Sequence, residues 1–152
     1  MAKIYSKYGI GIAIFLIAYF LLSKLIGLHQ YFSLSAINGL IYGAGLYFAL
    51  TKYASDENNF KYEKGFEVGL LSGGLASILF TIFMAVYMYQ IDTGFTAALM
   101  KQWNLQYELG TFMLILSILI MGFATTLVLT LAFMQLLKKS WNTRDGNRNT
   151  FN

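Results

Sequence analysis

The chain contains no cysteine and no proline, a single histidine, and only 12% charged residues. Without cysteine there is no disulfide framework, no thiolate metal site and no cysteine nucleophile. Without proline, one of the two residues that usually break a membrane helix around a midplane transport site is missing, and glycine alone is left for that role. One histidine, His29, cannot build a metal centre by itself; it reads as an interfacial polar residue, with a pH response as the alternative. Soluble domains carry about 25% charged residues, so the scarcity of charge argues against one. What is abundant is apolar: 57% of residues are hydrophobic and 17% aromatic, with a mean hydropathy of +0.57.

Charge is also unevenly placed. Uncharged runs extend over Tyr8–Ser23, Leu25–Thr51, Val68–Ile91 and Leu109–Leu137. A helix rises about 1.5 Å per residue, so roughly 20 apolar residues cross a hydrocarbon core of about 30 Å. The expectation is an all-α integral membrane bundle of four transmembrane helices, at about Tyr5–Leu28, Leu34–Tyr53, Gly65–Ile91 and Tyr107–Leu137. Residues 1–137 then form the membrane domain, and 138–152 a basic, polar cytoplasmic tail expected to be disordered. The opening "MAKIYSK" resembles a signal n-region, but the apolar run that follows lacks a small-x-small cleavage site and reads as a retained anchor.

An even number of spans places Lys3, Lys7, Lys52, Lys61, Lys64, Lys138, Lys139, Arg144 and Arg148 on one side and only Lys24 and Lys101 on the other. That bias predicts cytoplasmic termini and attraction to anionic lipids at the cytoplasmic face. The basic balance thus reflects topology, and no nucleic-acid partner is expected. Between the third and fourth spans, Phe95, Leu99 and Trp103 recur at four-residue spacing behind Asp92 and Thr93, either of which can cap a helix. This predicts a short interfacial helix, with a lid over a cavity as the alternative.

The stretch "YEKGFEVGLLSGGLASILF" looks at first like a phosphate loop. It lacks the Gly-Lys-Ser/Thr of a P-loop and the strand and spacing of a dinucleotide fingerprint. Instead Gly65, Gly69, Gly73 and Ser77 recur every four residues, a small-residue stripe that lets another helix approach closely. Gly39 and Gly43 offer a similar pair in the second span, and Gly110, Ser117, Gly122 and Thr126 a looser one in the fourth. Spacing does not choose between these partners. No Asp, Glu, Lys or Arg falls near a predicted midplane, where such a residue would flag a functional site. Glu67 reads as a solvated or locally paired carboxylate at the inner end, with proton coupling as the alternative. Asp92 reads as a helix cap.

The segment "KYEKGFEVGLLSGGLASILFTIFMAVYMYQIDTGF" resembles a family of small bacterial four-span membrane proteins of unknown function. Tyr62, Gly65, Phe66, Gly69, Leu70, Ser72 and Gly73 carry the first element of the resemblance, and Ile91, Asp92 and Phe95 the second. Thr93 stands where that family often has proline. The resemblance implies a bacterial inner-membrane location and the four-span topology, and no activity. The functional expectation is a structural or accessory subunit of a membrane complex, or a homo-oligomer, without catalysis or cofactor. A small oligomeric channel or transporter is the runner-up.

Overall fold

The computed structural model describes residues 2–27, 32–56, 61–105 and 108–137. His29 and the tail from Lys138 onward lie outside them. The described chain is all helical: α1 (Ala2–Leu25), α2 (Phe32–Asp56), α3 (Tyr62–Val86), a π-helical turn at Tyr87–Ile91, α4 (Thr93–Gln102) and α5 (Gly110–Leu137). Among the described residues, three segments are long and apolar enough to cross a bilayer, Lys3–Leu25, Tyr62–Ile91 and Gly110–Leu137. The 25-residue α2 is not among them. Helices follow from the composition, because apolar runs with no proline leave every backbone donor and acceptor to be paired within the run.

Local signals set the ends. Gly27, with φ of 74°, follows α1, and its N–H donates to the Lys24 carbonyl, a left-handed stop that glycine takes without strain. After α4 the chain reverses through Asn104, which has φ of 54°. Leu105 N–H then donates to the Met100 carbonyl at 2.8 Å.

The helix α3 is the hub, packing against α1, α2 and α5. Two apolar clusters fill the bundle. Ile12, Leu16, Tyr42, Leu46 and Ala76 pack along α1, α2 and α3. Phe20, Met84, Tyr87, Met88, Phe95 and Leu114 close the end nearest α4. There the Phe20 ring meets those of Tyr87 and Phe95 edge-on at 4.9 and 5.9 Å, a favoured arrangement of ring quadrupoles. Phe95 and Thr96 are buried, so α4 lies packed on the end of the bundle, whereas Trp103, expected on the same apolar stripe, is exposed. The reason is the reversal at Asn104, which ends the helix before the stripe reaches Trp103.

The contact between α3 and α5 is antiparallel and steps by four residues on both sides. A Cβ placed on Gly65 would meet Met134 Cε at 2.7 Å, one on Gly69 would run into Thr130, and one on Gly73 into Thr126. At the next rung the small residue changes sides: a Cβ on Gly122 would lie 2.6 Å from Ser77 Oγ. At Gly69, Gly73 and Gly122 a short Thr or Ser side chain fills the space of the missing Cβ, whereas at Gly65 the contact is the flexible end of Met134, which can shift. Gly39, by contrast, is exposed with nothing within 4 Å of its missing Cβ, and Gly43 meets Leu129 and Phe133 only at ordinary distances of 3.7 and 3.9 Å.

Candidate functional site

Two polar clusters stand out in this apolar framework. The first is at the centre, where α2, α3 and α5 converge. The Tyr42 hydroxyl lies 2.7 Å from the Gly73 carbonyl, 2.8 Å from Ser77 Oγ and within hydrogen-bonding reach of Thr126 Oγ1. Thr126 in turn donates to the Gly122 carbonyl at 2.8 Å. Each hydroxyl carries one proton: Tyr42 donates to the Gly73 carbonyl, Ser77 donates to Tyr42, and Thr126 donates to the Gly122 carbonyl or to Tyr42. The glycines make the network feasible: with no side chain at Gly73 or Gly122, both carbonyls are reachable from α2. Tyr42 and Thr126 are 6% and 0% exposed, so these neutral bonds form away from water, where leaving them unmade would be costly.

The second cluster sits at the α4 end and is charged. Lys24 Nζ lies 3.5 Å from Asp92 Oδ2 and 4.7 Å from the centre of the Tyr87 ring. The Tyr87 hydroxyl donates to the same Oδ2 at 3.0 Å. The other oxygen, Oδ1, accepts the Phe95 N–H at 2.9 Å and so caps α4. That backbone bond, joined by Tyr87 and Lys24, holds the Asp92 carboxyl below the usual carboxylate range. The side chains of Lys24 and Asp92 are 34% and 26% exposed, so the pair is partly hydrated and directs geometry more than it adds stability.

The π turn makes this arrangement possible. Asp92 N–H reaches back to the Tyr87 carbonyl at 2.9 Å, a five-residue step that rotates the following chain out of the α3 register. The Met88 carbonyl accepts the Thr96 hydroxyl at 2.8 Å. The extra residue thus turns Asp92 toward Lys24 and folds α4 back over the helix that precedes it.

Of the residues singled out in the sequence, Gly73 and Ser77 belong to the central cluster, and Gly65 and Gly69 to the same α3 face nearer its start. Asp92 anchors the second cluster. Glu67 is exposed on the first turns of α3, and Gly39 is exposed on α2; neither joins a cluster. Sequence reasoning missed Tyr42, whose only signal was a tyrosine far from either aromatic belt, where a buried hydroxyl has to find a partner. It also treated Lys24 and Asp92 separately. Among the described residues no group of three or more His, Asp or Glu side chains is placed to hold a metal ion.

No family model, no curated protein and no solved structure matches this chain.

Proposed function

We propose that the protein is a non-catalytic helical subunit of a bacterial inner-membrane complex, with four spans, α1, α2, α3 and α5, and both termini in the cytoplasm. The observation that carries this reading is how the central polar groups are used. Tyr42, Ser77 and Thr126 spend their hydroxyls on each other and on backbone carbonyls of α3 and α5. Such a network fixes three helices against one another and offers no charged group to a solute. Supporting it, α5 buries little of its length. Phe112, Leu116, Ile120, Phe123 and Leu127 remain exposed, an apolar face suited to lipid or to another helix.

Photocrosslinkers placed singly along α5 in living cells test the proposal. The expected result is one protein adduct recurring at helical period, strong at Phe112, Leu116, Ile120 and Phe123 and weak at Leu114. Lipid adducts alone at every position, or a purified homo-oligomer that carries ions across liposomes, would overturn it.

A further inference from the structure

A groove of about 490 Å³ runs along the bundle surface between α1 and α2. Its α1 wall is built by Lys7, Gly11 and Phe15, and its α2 wall by Ile41, Ala44 and Phe48. On each helix the polar end is one turn from the apolar part. Lys7, Gly11 and Phe15 are four residues apart, and Ala44 and Phe48 lead on, at the same spacing, to Lys52, so each set lies on one helical face. The floor is open because nothing lies within 4 Å of the missing Cβ of Gly11. Phe15 and Phe48 are 69% and 59% exposed and stand along the walls.

The groove is amphipathic along its length. From Lys7 to Phe15 it extends about 12 Å, close to the half-thickness of a hydrocarbon core of about 30 Å. Its apolar part ends near the middle of α1. Its mouth carries Lys7, with Lys3 one turn earlier on the same face and Lys52 across on α2, all three exposed. The phenol of Tyr8 also lines the mouth. Of the described carboxylates near this end, Glu63 and Glu67 belong to α3 and to neither wall, and Asp56 stands one turn beyond Lys52 on α2, so the net positive charge of the mouth comes from Lys3 and Lys7. A cationic mouth over a one-leaflet apolar slot matches one molecular class, a phospholipid with a net negative headgroup.

We infer that the α1–α2 groove binds a single anionic phospholipid, its phosphate at Lys7 and Tyr8 and one acyl chain along Gly11 between Phe15 and Phe48. The inference rests on α2 crossing the bilayer beside α1. Single-cysteine labelling tests that topology separately, so a lost lipid preference with correct labelling strikes the groove alone.

Native mass spectrometry of the full-length protein in mild detergent reads the site, using phosphatidylglycerol and phosphatidylcholine with identical acyl chains. The first phosphatidylglycerol is expected to bind several-fold more tightly than phosphatidylcholine. Lys7→Gln should lower that preference about fivefold, the effect of one lysine at an anionic headgroup, without changing the melting temperature. Gly11→Leu, whose side chain enters the slot, should weaken the first binding event for both lipids. Equal affinity of the parent for the two lipids would overturn the inference. So would unchanged phosphatidylglycerol binding in Lys7→Gln, or a dimer that Gly11→Leu disrupts while lipid binding persists, which would make a second copy the occupant.

Discussion

At the scale of single residues, two glycines of similar appearance in the sequence have opposite consequences. Gly73 faces the branched side chain of Thr126, which has no flexible end to move aside. Even a methyl group there forces the helices apart, and overpacking of this kind costs about 1–3 kcal/mol. Gly39 has open space, so alanine there gains the usual helical advantage of roughly 0.5–1 kcal/mol. Melting in detergent should therefore fall for Gly73→Ala and hold or rise for Gly39→Ala; the reverse order would mean that α3 and α5 are not in close contact. Hydroxyls separate in the same way. Tyr42→Phe removes the centre of the network and is expected to cost about 1 kcal/mol. Thr130 Oγ1 is buried without a hydrogen-bond partner among the described residues, so Thr130→Val should melt at or above the parent. A stabilised Tyr42→Phe protein would show that the network adds nothing to the bundle.

At the scale of elements, α4 depends on one carboxylate. Asp92 caps the helix and has its pKa lowered chiefly by the Phe95 N–H. Its contribution is therefore complete above the ordinary carboxylate value of 3.8 and is lost as pH falls from there through the lowered one. The protection of the Phe95 and Thr96 amides, taken relative to their intrinsic exchange rates, should fall in that acid range. Asp92→Asn keeps a capping oxygen and should abolish this acid dependence of protection, whereas Asp92→Ala should be poorly protected throughout. Protection that does not change across this range in the parent would mean that the cap does not hold α4. The sequence made the helix at Thr93–Gln102 legible through the Asp92 cap and the spacing of Phe95 and Leu99. It did not reveal the π turn, because one additional residue in a helix leaves no compositional trace. Nor did it say which helix faces Gly65, Gly69 and Gly73: periodicity fixes a face on one helix, while partner choice depends on how loops bring helices together. Tyr42 was illegible for a related reason, since its acceptors are carbonyls that every residue carries and that only glycine neighbours expose.

At the scale of the molecule, composition made the all-helical architecture and the long apolar segments Lys3–Leu25, Tyr62–Ile91 and Gly110–Leu137 plain. The proposed fourth crossing by α2 is open to direct measurement. Cysteines introduced singly at Ser55 and Gln102 should react with an impermeant reagent from opposite sides of the membrane, since α3 separates them and the Lys/Arg bias orients them. Reaction from the same side would remove the four-span arrangement. The pairing of α3 with α5 also constrains how the molecule moves. Sliding α5 by one rung, about 6 Å, would bring either Ile118 or Thr126 to the place where Gly122 leaves room for Ser77, and either shift carries Thr126 away from Tyr42. Axial, piston-like travel between these two helices is therefore blocked in both directions. Any working motion has to treat α2, α3 and α5 as one block, held by Tyr42 and the glycine rungs, with α1 rolling across it, so spin labels on α3 and α5 should keep a fixed separation under conditions that change the distance across the α1–α2 groove.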